Sequence, residues 1–506
     1  MRLRLGCLIA LALLLGATPA LVQERPQRPE RAERQARPAP DGDSQGVLRL
    51  LPADAVSEKQ IAVAGRPLAY TATAGTLALY DQNGERSAAV FYTAYVAKGG
   101  TAARRPITFA FNGGPGAAAT FLHLGLAGPR VIDFGPDGRD GAAAKLRDNP
   151  DTWLAFTDLV LIDPIGAGWS RPAKSDGGSA FWGVRRDTEV FAKVIALYVA
   201  KNSRTASPKY LLGESYGGFR AAKVARALQR DQGVIVSGIV MVSPLLETAF
   251  LWSGDRFALG AAMYFPSLVA AELERKRAFS KEALAAAERF ALTDYLTTLA
   301  GPPLTGDAAQ AFHGRIAQMT GLPIETVAKA RGIVRGAYLR HLRSVDQQLI
   351  SSYDANFAIA DPFPESEGAR SVDPMLDGFV RALSGTFVGY ARDELGFKTE
   401  MTYTLLSGDI GGRWDWGDRR EPPGVSDDLR VLLALDPSFR LMVAHGMSDL
   451  VTPYGVSRYV LDQLPPTGGA ERTQLKLYRG GHMFYFNEEQ RRAFTADAKA
   501  FYLGNR

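Results

Sequence analysis

Residues 209–220 read KYLLGESYGGFR. The short apolar run Tyr210–Leu212 meets a serine bracketed by glycines, Gly213-Glu214-Ser215-Tyr216-Gly217, and an alanine-rich helical stretch follows at once. This is the form of a nucleophile elbow, a sharp strand-to-helix turn that lifts a serine hydroxyl above the end of a sheet. Small residues two before and two after the serine suit the crowded backbone. The helix N-terminus behind it favours developing negative charge. The elbow predicts an α/β sheet, so the rest of the chain is read for further strands and for the serine's partners.

Short apolar runs with the look of buried parallel strands recur at Ile107–Phe111, Leu159–Ile162 and Gly238–Val242, and again at Phe439–Ala444 and Gln474–Tyr478. Asp187 is placed to cap a helix running to Lys201, with Val190, Val194 and Leu197 on one face. Ahead of these, Gln60–Val63, Leu68–Ala74 and Ala88–Val96 alternate as antiparallel strands, with Asn83-Gly84 as a hairpin turn. Residues 251–396 break the pattern. Helical spacing runs through Lys281–Leu292, Ala308–Thr320, Ile324–Arg331, Tyr338–Ser351 and Gly378–Leu395. A helical block within an α/β sheet is most simply an inserted cap. The expected organisation is a leader at 1–22, a Pro/Arg-rich disordered linker at 23–46, a core split into 47–250 and 397–506, and the cap at 251–396.

Composition fits an exported enzyme. Hydrophobic residues are 46% of the 506, enough for a large core. The net charge of +6 is spread along the chain, so no nucleic-acid partner is expected. Arg2 and Arg4 precede the apolar run Cys7–Leu15, which is too short to span a bilayer, and small residues at Ala17–Ala20 offer a cleavage site. Export to the periplasm or medium is expected, with no stable membrane insertion once the leader is removed. Cys7 is the only cysteine, so the mature chain would form no disulfide and no cysteine metal site. No cofactor and no metal is called for. A homodimer is left open.

An elbow serine needs a base and an orienting acid, in the chain order Ser, acid, His. The five histidines are His123, His313, His341, His445 and His482. The first precedes the serine, the next two lie in the helical block, and His445 ends a strand where the acid belongs. His482, in the glycine-rich loop after the last strand, is the expected base. Asp449 leaves the end of the preceding strand and is the expected acid, in competition with Asp409 and Asp462. The expected oxyanion hole combines the amide of Tyr216 with one from Asn112-Gly113-Gly114-Pro115-Gly116.

With these pieces in place the chain resembles the serine carboxypeptidase family. The stretches that carry the likeness are NGGPG (112–116), DNPDTW (148–153), LVLIDPIGAGWS (159–170), GESYGG (213–218), SDLVTPY (448–454) and GGHM (480–483). They fall in the family's order. The resemblance implies Ser215 as nucleophile, Asp449 and His482 as its partners, and the Gly114 and Tyr216 amides as oxyanion hole. It further implies that Asn112, Gly113 and Glu214 hold the terminal carboxylate of a peptide or protein substrate. A glutamate can hydrogen-bond a carboxylate only if one of the two is protonated, which points to work in mild acid. The chain also departs from the family. The expected tryptophan before the asparagine is Ala110, the second glutamate after it is Leu126, and Ala117-Ala118-Ala119 replaces Cys-Ser-Ser. The thinned clamp keeps other readings open: an esterase or acyltransferase with the same triad, an aminopeptidase of the proline-iminopeptidase type, or a non-catalytic binding protein.

Overall fold

The computed structural model describes residues 46–504, apart from residues 100, 102–103, 136–137, 252, 342–346, 366–371, 418–420 and 467–469. The leader at 1–22, and all of the linker but Gly46, lie outside the described residues. No described helix is long and apolar enough to cross a membrane.

Three long strands open the fold: β1 (Ala55–Val63), β2 (Arg66–Tyr80) and β3 (Arg86–Ala97). They pair antiparallel. The hairpin turn falls at Asn83-Gly84 as expected, with Gly84 at a φ of 81° and its amide bonded to Asp81 O at 3.1 Å. Six shorter strands follow: β4 (Ile107–Phe111), β5 (Asp158–Ile162), β6 (Lys209–Glu214), β7 (Gly238–Val242), β8 (Arg440–Gly446) and β9 (Thr473–Tyr478). They lie parallel to one another. The sheet order is β1-β2-β3-β5-β4-β6-β7-β8-β9, and a two-residue strand, Arg171–Pro172, pairs with β3 as a tenth member. The apolar runs are continuous because both faces of these strands are covered. Phe109, Leu211, Met241 and Val443 enter one core, and Ala110, Leu212, Val240 and Met442 enter the other. Helices α1 (Val184–Lys201) and α2 (Tyr216–Asp231) cover the first face. In the long stretch between β7 and β8, α3 (Ala258–Arg275) joins the first core and residues 376–395 join the second. A last helix, α4 (Glu488–Leu503), also packs on the second face.

Two local expectations are corrected. Asp187 does not cap α1. Gly183 holds the cap position, and Asp187 lies one turn in, buried and paired with Arg220 Nε at 2.6 Å. The helix expected over Tyr338–Ser351 does not form at its C-terminal end. The helix there is Arg335–His341, and Gln348–Ile350 pairs antiparallel with Ala358–Ala360. The Asp373 carboxylate accepts from the hydroxyls of Ser351 and Ser352 and from the Ser352 amide, at 2.7–2.9 Å. Serine side chains and amides satisfied this way compete with helix.

Candidate active site

Parallel strands of one sheet deliver the loops after β4, β6, β7, β8 and β9 to a common edge, the usual place for a site in such folds. Ser215 leaves β6 with a φ of 60° and a ψ of −126°, then α2 begins. Its amide donates to Val242 O at 2.9 Å, and its carbonyl accepts from the amides of Gly218 and Leu245 at 2.9 and 3.1 Å. The strained turn is thus fixed from three sides. A Cβ on Gly213 would lie 2.0 Å from Gly217 O, which is why the elbow needs glycine there. Ser215 keeps partial exposure while Glu214 and Tyr216 on either side are buried.

The loop 112–116 lies directly against the elbow. A Cβ on Gly113 would come 2.4 Å from Tyr216 N. Gly114 has a φ of 98°. The loop is pinned by Ala117 N to Gly113 O at 3.0 Å and by Ala118 N to Leu405 O at 2.9 Å. Asp163 Oδ1 accepts from Ala119 N at 2.8 Å, and buried Arg220 donates to Asn112 O.

Asn112 and Glu214 meet. Asn112 Nδ2 donates to Glu214 Oε2 at 2.5 Å, and its Oδ1 accepts from Leu122 N at 3.1 Å. Tyr485, which the sequence reading did not single out, donates its hydroxyl to the same Oε2 at 2.7 Å. Burial pushes the Glu214 carboxyl up to about 7, against the pull of His482, Tyr485 and Asn112. Tyr485 lies 271 residues from Glu214, and nothing local in the sequence ties the two.

Asp449 and His482 also meet. His482 Nδ1 donates to Asp449 Oδ2 at 2.8 Å. Oδ1 accepts from the amides of Val451 and Thr452 at 2.8 and 3.1 Å. Burial works to lower the His482 pKa, but the Asp449 charge, its hydrogen bond and the Glu214 charge prevail and raise it. The end of β7 links this pair to the elbow, since the Ser243 hydroxyl donates to His482 O at 2.8 Å next to the Val242 carbonyl that holds Ser215.

The stretch between β7 and β8 reaches both loops through Ser351–Asn356. His482 N donates to Tyr353 O at 2.6 Å, Leu450 N to Ser352 O at 3.0 Å, and Ala355 N to Ser448 O at 3.0 Å. Ser448 Oγ donates to Asp354 Oδ1 at 2.7 Å. The Tyr353 ring stands edge-on to the imidazole, with centroids 5.4 Å apart.

The remaining histidines lie elsewhere. His123 is buried beside the Tyr95 hydroxyl, 2.6 Å from Nε2. His445 is buried beside Ser457 Oγ, 2.7 Å from Nε2. Burial pushes both down to about 3. His313 and His341 belong to helices between β7 and β8. Ala110 and Leu126 are both fully buried.

Comparison with known proteins bears on residues 68–244 and on the fold. The serine carboxypeptidase family profile matches residues 68–244. Serine carboxypeptidase-like 44 of Arabidopsis thaliana is 29% identical over 153 residues, 28% of this chain and 30% of that protein. Carboxypeptidase sxa2 of Schizosaccharomyces pombe is 27% identical over 179 residues, 33% of each. The matches therefore span about a third of the length of these relatives. The crystal structure of Kex1(delta)p, a prohormone-processing carboxypeptidase from Saccharomyces cerevisiae, superposes with a TM-score of 0.57 at 15% identity. It covers 86% of this chain and 92% of that one, which is a likeness of fold. Residues 68–244 thus match the serine carboxypeptidase family, and the chain shares the α/β-hydrolase fold of its structural neighbour.

Proposed function

We propose that the protein is an exported serine-type carboxypeptidase that removes C-terminal residues from peptides through an acyl-enzyme. Ser215 is the nucleophile. His482 takes its proton and later activates water. Asp449 fixes the imidazole tautomer and stabilises the cation that forms. The amides of Gly114 and Tyr216 receive the oxyanion. Asn112, Gly113 and Glu214 hold the substrate's free carboxylate. Residues 251–396 act as a cap, and export rests on the leader-like residues at the N-terminus.

The observation that carries this reading is the Asn112–Glu214 pair, one residue from Ser215, with its carboxyl raised to about 7. A protonated Glu214 donates to a carboxylate, and an ionised one repels it. Glu214 and His482 sense each other's charge, so they titrate as a coupled pair. The productive form places the proton on Glu214 and leaves His482 neutral.

The test uses an N-blocked dipeptide as free acid, C-terminal amide and ester, with Ser215→Ala as control. Faster cleavage of the free acid, strongest in mild acid and lost in Ser215→Ala, is the expected result. Turnover of the ester alone would transfer the triad to the second reading, an esterase or acyltransferase. Buried Leu126, standing where a second glutamate would extend the clamp, favours that alternative.

A further inference from the structure

The triad proposed above leaves two buried hydroxyl residues beside it without a role. Ser243 follows β7, is fully buried, and has a φ of 43°, a region that serine seldom adopts. Its amide donates to Ala444 O at 2.7 Å, and its hydroxyl holds the His482 carbonyl. Thr452, three residues after Asp449, is also buried. Its Oγ1 lies 2.9 Å from Ser243 O, 2.9 Å from Asp449 Oδ2 and 3.1 Å from His482 Nδ1.

A hydroxyl carries one proton and two lone pairs. Thr452 shares its proton between Ser243 O and Asp449 Oδ2, and turns a lone pair toward the imidazole. Oδ2 is thereby held facing His482. The Nδ1 proton gains a second acceptor beside the carboxylate, so the ring has less freedom to swing away. The left-handed turn at Ser243 serves the same end, because it presents a carbonyl to Thr452 and a hydroxyl to the His482 backbone. We infer that the Thr452 hydroxyl, anchored on Ser243, is a positioning group that keeps the His482–Asp449 pair aligned for attack by Ser215. This inference rests on the triad reading.

The test compares Thr452→Ser with Thr452→Ala. Both lack the threonine methyl, and they differ only in the hydroxyl. A fluorophosphonate probe, which reports serine activation whatever the natural substrate, is followed at saturating and sub-saturating concentrations, with thermal melting as a check on folding. The serine variant is expected to label close to the native rate. The alanine variant is expected to be about 10- to 100-fold slower in limiting rate, the worth of a hydrogen bond to a charged group, with half-saturation unchanged. Equal rates for the two variants, fast or slow, would overturn the inference. So would a loss confined to half-saturation. Native protein that labels no faster than Ser215→Ala would sink the triad reading and this inference with it. That outcome is distinguishable because it appears before any change at Thr452.

Discussion

Replacing Glu214 by glutamine separates the proposed clamp from the proposed triad. The native carboxyl, pushed up to about 7 by burial, is about 90% protonated at pH 6 and about 10% at pH 8. If the protonated form binds the substrate carboxylate, the preference for free acid over amide falls about tenfold across that interval. His482 titrates identically for both substrates, so its contribution cancels in the ratio of their kcat/KM values. Glutamine keeps an N–H donor at every pH, and its oxygen can still accept from Asn112 and Tyr485. The ratio for Glu214→Gln should therefore be flat from pH 6 to 8. The same residue acts on stability. Its folded pKa lies above the ordinary 4.5, so the folded state holds its proton longer. Stability is then complete below pH 4.5 and is lost as pH rises toward 7. At 1.36 kcal/mol per pKa unit, the loss is about 3 kcal/mol. Glutamine should remove that loss, and urea denaturation at pH 5 and pH 8 would show it. A tenfold fall that persists in Glu214→Gln would refute the clamp argument. A native ratio independent of pH would do the same.

Further outcomes concern the scaffold. Gly113→Ala drives a methyl to within 2.4 Å of Tyr216 N, so fluorophosphonate labelling should drop at least about 100-fold, the worth of an oxyanion donor. Asp163 is pushed up to about 7 by burial. It therefore also costs stability as pH rises, and Asp163→Asn should narrow the gap in melting temperature between pH 5 and pH 8. Arg220→Met leaves Asp187 buried without its partner. It should cost about 3–5 kcal/mol by urea titration, and adding Asp187→Leu should recover part of that.

The sheet was legible because its central strands are apolar on both faces, as at Ile107–Phe111 and Gly238–Val242. The elbow was legible because the turn at Ser215 tolerates only small neighbours, which leaves a mark in the sequence. Pairings that depend on distant chain were not. The bond from Tyr485 to Glu214 joins residues 271 apart, and no local pattern announces it. Helix α3 buries residues all round and contains Pro266, so it has no polar stripe for periodicity to find. Asp187 looked like a cap because aspartate commonly is one. Its real partner, Arg220, is set by the packing of α1 on α2.

The bonds from Ser351–Asn356 to Ser448, Leu450 and His482 bear on how this protein could be remodelled. The segment between β7 and β8 is not a cassette. A chimera that exchanged residues 251–396 for those of another relative would withdraw the Tyr353 carbonyl from the His482 amide and the Ser352 carbonyl from the Leu450 amide. It would be expected to lose turnover before its specificity could be judged. Crossover points that keep 351–356 together with Asp373 leave that bracing intact, and recombination of this segment should succeed there first.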